Sequence, residues 1–326
     1  MASSLSDFAP ANAPKQNTEQ PVIAALDIGS NSFHLVVARY VEGDFQFLER
    51  EKQQIRLAAG LDQHNRLSEA AIERAMVCLE RMSQLVQKHQ PVRIRAVATH
   101  TLRVAENAEQ FLQLAKQRFP VPIEVVSGIQ EAKLIYQGVS HLSDVRSPAL
   151  VIDIGGGSTE FIIGANFQER QLRSCPIGCI NLTKEFFANG KINKRRMIKL
   201  VETAEHLIAP FREKYTKLGW EQCLGSSGSI KMIDRILKEE GYRKRTITLE
   251  HLLTIGEQLL AFNRLDEIRL PGLFADRAPI MPAALGILIA AFKSLGIDQM
   301  TFSRGALREG LLYTMAHQHL LQQPIK

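Results

Sequence analysis

One segment, Val151-Ile-Asp-Ile-Gly-Gly-Gly-Ser-Thr-Glu-Phe-Ile-Ile163, constrains this chain more than any other, because it occurs twice. With Asp27 aligned on Asp153, Ala25-Leu-Asp-Ile-Gly-Ser-Asn-Ser-Phe-His-Leu-Val-Val37 matches it position for position. Each copy reads as an apolar strand, then Asp-Ile-Gly-x-x-Ser, then a second apolar strand. Strand and helix patterns alternate after each copy. That is the signature of two related α/β units placed one after the other, facing each other across a cleft.

A turn of the form Asp-x-Gly-x-x-Ser/Thr between two strands suits a phosphate. Glycine lets backbone N–H groups approach an anion closely, and the hydroxyl adds a donor. The candidate phosphate-binding residues are therefore Gly29, Ser30, Asn31 and Ser32 in the first copy, and Gly155, Gly156, Gly157, Ser158 and Thr159 in the second. The row of three glycines is expected to admit phosphate oxygens. Asp27 and Asp153, each ending a first strand, suit Mg²⁺, which is commonly held by one or two carboxylates, waters and substrate phosphate. A P-loop would need a Gly-Lys-Ser/Thr that neither copy has. A dinucleotide fingerprint would need a helix directly after the glycines, where both copies continue as strands.

Around the hairpins, Ser68 is a candidate N-cap for a helix over 69–89, and residues 93–99 read as a strand. A helix over 107–119 and a strand over 123–127 follow. Ser127-Gly-Ile-Gln130 has the capping-box pattern and starts a helix at about Gly128. A Gly/Ser loop, Gly225 to Ser229, precedes a helix expected from Ile230. Gly225, Ser226, Gly228 and Ser229 are candidate anion ligands there, with Ser229 as a plain N-cap the equal alternative. No G-x-S-x-G elbow is formed, which excludes that serine-hydrolase pattern.

The formal net charge is +6 and the pI about 9.2, a balance that favours an anionic partner. Basic residues gather at 192–200 and 240–245, as solvated faces or as the walls of an entry channel for a polyanion. Cys175 and Cys179 have no second Cys/His pair at ligand spacing, so the four cysteines read as small buried residues in a reducing compartment. Residues 1–21 read as a disordered tail without the basic and apolar regions of a signal peptide. The apolar run 279–292 is short and broken by Pro and Gly, and a membrane span is not expected there. These features together predict a cytoplasmic protein with no membrane or nucleic-acid partner.

Six segments resemble the exopolyphosphatase/guanosine pentaphosphate phosphatase family: DIGSNSFH (27–34), THTLR (99–103), SGIQEAKLIYQGV (127–139), DIGGGSTE (153–160), GSSGSIK (225–231) and GALREGLLY (305–313). They keep the family's order from Val22 to about Met315. The resemblance implies two actin-like ATPase, ribonuclease H-like domains, over about 22–134 and 135–304, with an interdomain active-site cleft. It also implies a closing helix, about 305–323, that returns to the first domain or serves a homodimer. The likeness is to the short, two-domain form, without the C-terminal helical extension and HD-type domain of longer members.

That family hydrolyses terminal phosphoanhydrides with water and Mg²⁺; a monovalent cation such as K⁺ is a further expected activator. By resemblance Glu131 is the general base, whereas from the sequence alone it would read as an acid complementing a helix N-terminus. Asp153 and Glu160, with Asp27, are the implied metal ligands. Arg103 is the implied cation on the transferring phosphoryl group, with a fork matched to phosphate; Arg56 and Arg277 lie in less specific segments. Many relatives carry an acid at position 130, where this chain has Gln130, so Glu131 has no acidic neighbour to share its role. His34 stands where Glu160 stands in the second copy, and no part in the chemistry is expected of it.

The first expectation is an exopolyphosphatase releasing orthophosphate from inorganic polyphosphate. The alternative is a guanosine pentaphosphate 5′-phosphohydrolase on the same site, or both activities in one protein. A non-catalytic alarmone or polyphosphate sensor and a sugar or acetate kinase of the same superfold are the remaining readings.

Overall fold

The computed structural model describes residues 20–242 and 246–321. The expected N-terminal tail up to residue 19 and residues 243–245 of the second basic run lie outside the described residues.

Both halves of the chain build the same sheet. β1 (Val22–Ile28), β2 (Ser32–Val41) and β3 (Asp44–Gln54) form an antiparallel meander, followed by α1 (Glu69–His89) and β4 (Arg93–Ala98). Then come α2 (His100–Val104), α3 (Ala108–Lys116), β5 (Ile123–Val125) and α4 (Gly128–Leu142). The second meander is β6 (Ala149–Ile154), β7 (Thr159–Ala165) and β8 (Gln168–Cys175), after which α5 (Cys179–Phe186) and α6 (Lys194–Leu218) precede β9 (Gln222–Ser226). The chain continues through α7 (Ser227–Glu239), α8 (Leu249–Leu260), α9 (Met281–Leu295), β10 (Thr301–Phe302) and α10 (Leu307–Leu321).

The sheet orders are β3-β2-β1-β4-β5 and β8-β7-β6-β9-β10, with β4, β5, β9 and β10 parallel to the first strand of their own sheet. This order, repeated, is that of the paired ribonuclease H-like domains of actin-like ATPases, the fold class expected from the sequence.

Strand alternation divides the core. Leu26, Ile28, Phe33 and Leu35 face outward from the first sheet onto α1 to α3, while Ile23, Ala25 and Val36 face inward. The inward residues join Val151 and Ile162 of the second sheet and Tyr136, Val139, Leu311, Leu312 and Met315 of α4 and α10 in one shared core. These two helices are thus the filling between the sheets. The expected domain division at 134/135 falls inside α4, a single unbroken helix.

α4 and α10 cross at glycines. A Cβ on Gly138 would overlap the Ala306 carbonyl, one on Gly310 the Leu134 carbonyl, and one on Gly305 the Gly138 carbonyl. The outer face of the second sheet is covered by α5 to α9. With its preceding turn, α9 gives an 18-residue segment, Ala278–Leu295, of mean hydropathy 1.7. It is therefore longer and more continuous than the sequence reading allowed; 83% of it is buried within the fold, as a core helix. The four cysteines are free and buried.

Three local starts decide where functional side chains fall. The Ser127 hydroxyl accepts from Gln130 N (3.2 Å) and Gln130 Oε1 accepts from Ser127 N (2.8 Å), closing the capping box at the head of α4. His100–Val104 forms a helix that the sequence reading missed, since five residues carry no visible period. α7 starts at Ser227, three residues before the expected Ile230, and places Gly228 and Ser229 within its first turn.

Candidate active site

The two hairpin turns are the same turn. Gly29 N donates to Ser32 O (3.2 Å) and Gly155 N donates to Ser158 O (2.9 Å). Asp27 pairs across its hairpin with His34, and Asp153 with Glu160, so the echo in sequence is an echo in register. The first turn is clamped by the following 3-10 turn, Leu57–Gly60: Asn31 O accepts from Ile55 N (3.1 Å) and Arg56 N (2.8 Å), and Ser30 O from Ala58 N (2.9 Å).

The turns meet head to head. A Cβ on Gly156 would come within 2.8 Å of both Ser30 Cβ and Ile180 Cδ1, and one on Gly157 would overlap the His100 ring. Gly155, Gly156 and Gly157 all lie outside the left-handed region. Their smallness serves close approach, and the protein groups that come close to Gly156 and Gly157 are Ser30, Ile180 and His100. Beside this contact is a cavity of about 440 Å³, lined in part by Ala58, His100, Asn181 and Lys184. Lys184 Nζ crosses from α5 to donate to Ala58 O (2.7 Å) and ties the two domains there.

Four carboxylates converge on the turns. Glu131, in the first turn of α4, receives Arg103 Nη1 at 3.0 Å, and the same nitrogen donates to Val126 O at 2.8 Å. Burial pushes Glu131 up to about 7, opposed by Arg103 and assisted by Asp27 and Asp153. Burial likewise raises Asp27 to about 7, with Arg308 opposing and Asp153 assisting. Asp153 rises to about 6, held down in part by the Ser226 hydroxyl and Arg308. Glu160 is pushed well above the usual carboxylate range by burial, then by Glu131 and Asp153. Its Oε1 accepts from Ser174 Oγ (2.7 Å), while the buried Oε2 has no hydrogen-bond partner. Among the described residues no three carboxylates, imidazoles or thiols are grouped as a ready-made metal cage.

The remaining sequence candidates divide. Asn31 Nδ2 stays local, 3.4 Å from Ser32 Oγ, and the Ser158 hydroxyl opposes the rise in the Glu160 pKa. The Ser30 hydroxyl accepts from Thr101 Oγ1 at 2.8 Å. Thr159 Oγ1 is fully buried and donates to Ile177 O (2.5 Å), away from the cleft. Ser226 Oγ, also fully buried, donates to Gly305 O (2.8 Å). Gly225 packs on Met300 and Ile230 in the core, and Gly228 makes room for the Arg277 guanidinium, 2.7 Å from where a Cβ would sit. Ser229 Oγ faces Cys179 Sγ at 3.9 Å. The N-cap residue of α7, Ser226, makes no side-chain cap bond; instead Ser227 Oγ accepts from Ser229 N (3.2 Å) and Ile230 N (3.3 Å), and the Ser227 φ of 88° is strained for a non-glycine residue. Arg195 is exposed on α6, whereas Arg196 is tied to Asn189 Oδ1 (2.5 Å) and Lys191 O (2.7 Å).

The structure adds cations that sequence reasoning passed over. Arg308 of α10 donates through Nη1 to His34 Nδ1 (2.9 Å) and lowers both Asp27 and Asp153. Lys52 of β3 is held below the usual lysine range by burial and by Arg277, and also by Lys231 and Arg308. Among the described residues Lys52, Lys231 and Arg277 make no ion pair. GALREGLLY was legible as a motif, but nothing local marked Arg308 as facing the first hairpin.

The Ppx/GppA phosphatase family profile matches residues 36–319. A guanosine-5′-triphosphate,3′-diphosphate pyrophosphatase of Vibrio parahaemolyticus is 42% identical over 300 residues, 92% of this chain and 60% of the relative. The Aliivibrio fischeri protein of the same name is 40% identical over 316 residues, 96% of this chain and 63% of its own. The chain thus spans about three fifths of the length of these relatives. Among solved structures, an Aquifex aeolicus member of the Ppx/GppA family has a TM-score of 0.76 at 25% identity, covering 92% of this chain and 98% of its own. An exopolyphosphatase from Cytophaga hutchinsonii has a TM-score of 0.83 at 24% identity, over 91% and 98% of the two chains, a likeness of fold.

Proposed function

The chain belongs to the Ppx/GppA phosphatase family, and from that premise we propose that it hydrolyses the 5′-terminal phosphoanhydride of guanosine 5′-triphosphate 3′-diphosphate, releasing orthophosphate. The observation that carries the chemistry is the Glu131–Arg103 pair, a buried carboxylate with a guanidinium at 3.0 Å, set against two facing phosphate turns. The substrate comes from the relatives at 42% and 40% identity, which are guanosine-5′-triphosphate,3′-diphosphate pyrophosphatases by name. This reverses the order reached from sequence, where inorganic polyphosphate stood first.

Glu131 in its ionised form orients a water and accepts its proton as the water oxygen bonds to the terminal phosphorus. The bridging P–O bond breaks, and the leaving group departs as the shortened nucleotide. Arg103 presents N–H donors to the phosphoryl oxygens, where charge spreads in the transition state. The paired turns contribute backbone N–H groups around the same oxygens. Lys52 of β3, Lys231 of α7 and Arg277 lie close enough for the last two to depress the Lys52 ammonium, and together they supply positive charge for the rest of a polyanionic substrate.

The residues fit Mg²⁺. Glu160 has a buried oxygen without a donor, and four crowded carboxylates with raised pKa values call for positive charge. Asp153 and Glu160, with Asp27, would hold the ion, which leaves its other positions to water and substrate oxygens. Bound there, it would neutralise phosphate charge and polarise the phosphorus–oxygen bonds.

The test is orthophosphate release from guanosine pentaphosphate and from long-chain polyphosphate in parallel, with wild type and Glu131→Gln. The reading expects faster turnover of the nucleotide and its loss in the variant. Turnover of polyphosphate alone would return the first sequence expectation, and tight binding without turnover of either would favour the sensor.

A further inference from the structure

His34 and Glu160 hold equivalent places in the two hairpins, across from Asp27 and Asp153. The second hairpin fills that place with an acid. The first fills it with an imidazole whose Nδ1 accepts from Arg308 Nη1 at 2.9 Å, so the acceptor nitrogen carries no proton and the ring is neutral. Burial, Arg308 and Lys52 all act against protonation of this ring. The asymmetry therefore replaces a carboxylate with a fixed acceptor that holds a cation.

The cation is incompletely used by the protein. Nη1 is engaged by His34, and Nη2 makes one long contact, 3.5 Å, to Glu309 Oε1. Nε is buried and has no partner. A guanidinium has five N–H donors in a rigid fork, and a buried donor left without a partner is costly. Glu309 does not neutralise it alone, because its other oxygen caps α10 by accepting from Ala306 N (3.1 Å). The Arg308 side chain remains 22% exposed, and its charge acts on the carboxylates of both turns, Asp27 and Asp153.

We propose that Arg308, aimed by His34, is a further phosphate-binding residue, giving N–H groups that the protein leaves unused to a non-bridging oxygen of the transferring phosphoryl group. This rests on the phosphohydrolase reading above. It gives the first hairpin a part in the reaction: one repeat brings the acid pair Asp153 and Glu160, the other the His34–Arg308 clamp.

The probe is orthophosphate, titrated calorimetrically into the full chain with Mg²⁺ present, together with steady-state hydrolysis. Arg308→Met is expected to weaken orthophosphate binding at least tenfold and to lower kcat/KM at least a hundredfold, with Arg308→Lys falling between. His34→Phe should move both readouts in the same direction, because Arg308 is still present but no longer held. His34→Gln, whose amide oxygen can accept the same bond, should recover most of the loss. The double variant His34→Phe/Arg308→Met should be no worse than Arg308→Met alone. Orthophosphate binding within twofold of wild type in a folded Arg308→Met protein would overturn the proposal, as would full multiplication of the two single effects. If Arg308→Met does not fold, the His34 pair still decides. A wild type that binds orthophosphate but hydrolyses neither substrate would sink the phosphohydrolase reading, and the binding arms would still decide the role of Arg308.

Discussion

Arg103 Nη1 stands 3.0 Å from Glu131 Oε2 and 2.8 Å from Val126 O, so one nitrogen fastens the putting-down point of β5 to the head of α4. The pair is both charge balance and placement. Replacing Glu131 by Gln keeps the volume and removes the base, and should lower kcat by about 10²–10⁴ with KM changed less than about threefold. Single-turnover phosphate release is the measurement, and a kcat within tenfold of wild type would remove Glu131 from the base role.

The pH–rate profile follows from the raised Glu131. A base must be ionised to act, and Glu131, the base proposed above, is raised to about 7. kcat/KM should climb about tenfold per pH unit below 7 and level off above it. Substituting Lys for Arg103 loosens the single Nη1–Oε2 contact that opposes the rise, so the limb should move to higher pH. A profile flat from pH 5.5 to 8 would contradict this.

Stability without divalent metal should run the opposite way. Unfolded carboxylates titrate near 4, while Asp27, Asp153 and Glu131 titrate at about 6 to 7 in the fold and Glu160 higher still. Between those values the folded state binds more protons than the unfolded, so this contribution is complete below about pH 4 and is lost as pH rises through 7. Melting temperature in chelator should therefore fall between pH 5.5 and 8, and Mg²⁺ should narrow the difference. Glu160→Gln should flatten the slope while abolishing activity. A slope unchanged in that variant would show that Glu160 does not carry it.

Two glycine-to-alanine substitutions separate structure from chemistry. At Gly310 the new methyl meets the backbone carbonyl of Leu134, which cannot step aside; at Gly157 it meets the His100 ring, which can. Gly310→Ala should cost about 3 kcal/mol or more of unfolding free energy, read from denaturant midpoints. Gly157→Ala should cost about 1 kcal/mol, yet lower kcat/KM more than tenfold by shifting the turn against Ser30. Equal losses of stability at both positions would undo the distinction.

The hairpin echo was legible because its signal is local: an acid, glycines and a hydroxyl between two short apolar runs. The capping box at Ser127 was legible for the same reason. The reason for the three glycines was not, since their neighbours His100 and Ile180 come from other elements. Thr159 and Ser226 looked like phosphate donors by type, but the carbonyls that hold them, Ile177 and Gly305, are adjacent only in the fold. Arg308 had the right chemistry and no local mark, because its partner His34 sits near the other end of the chain. Local hydrogen-bond grammar reads out of sequence, whereas the destination of a side chain after closure does not.

The packing of α10 also sets an order of events during synthesis. Ile23 and Ala25 of β1 are among the first residues of the shared core to emerge from a ribosome, and Leu311, Leu312 and Met315 are among the last. The inner face of the first sheet therefore waits, uncovered, while the whole second domain is translated. Its outer core can form early around α1, but the first domain is finished only when the closing helix arrives. A nascent chain stalled before residue 307 would hold a half-clad sheet, the form most exposed to chaperones and to mispairing with its own neighbours on a polysome.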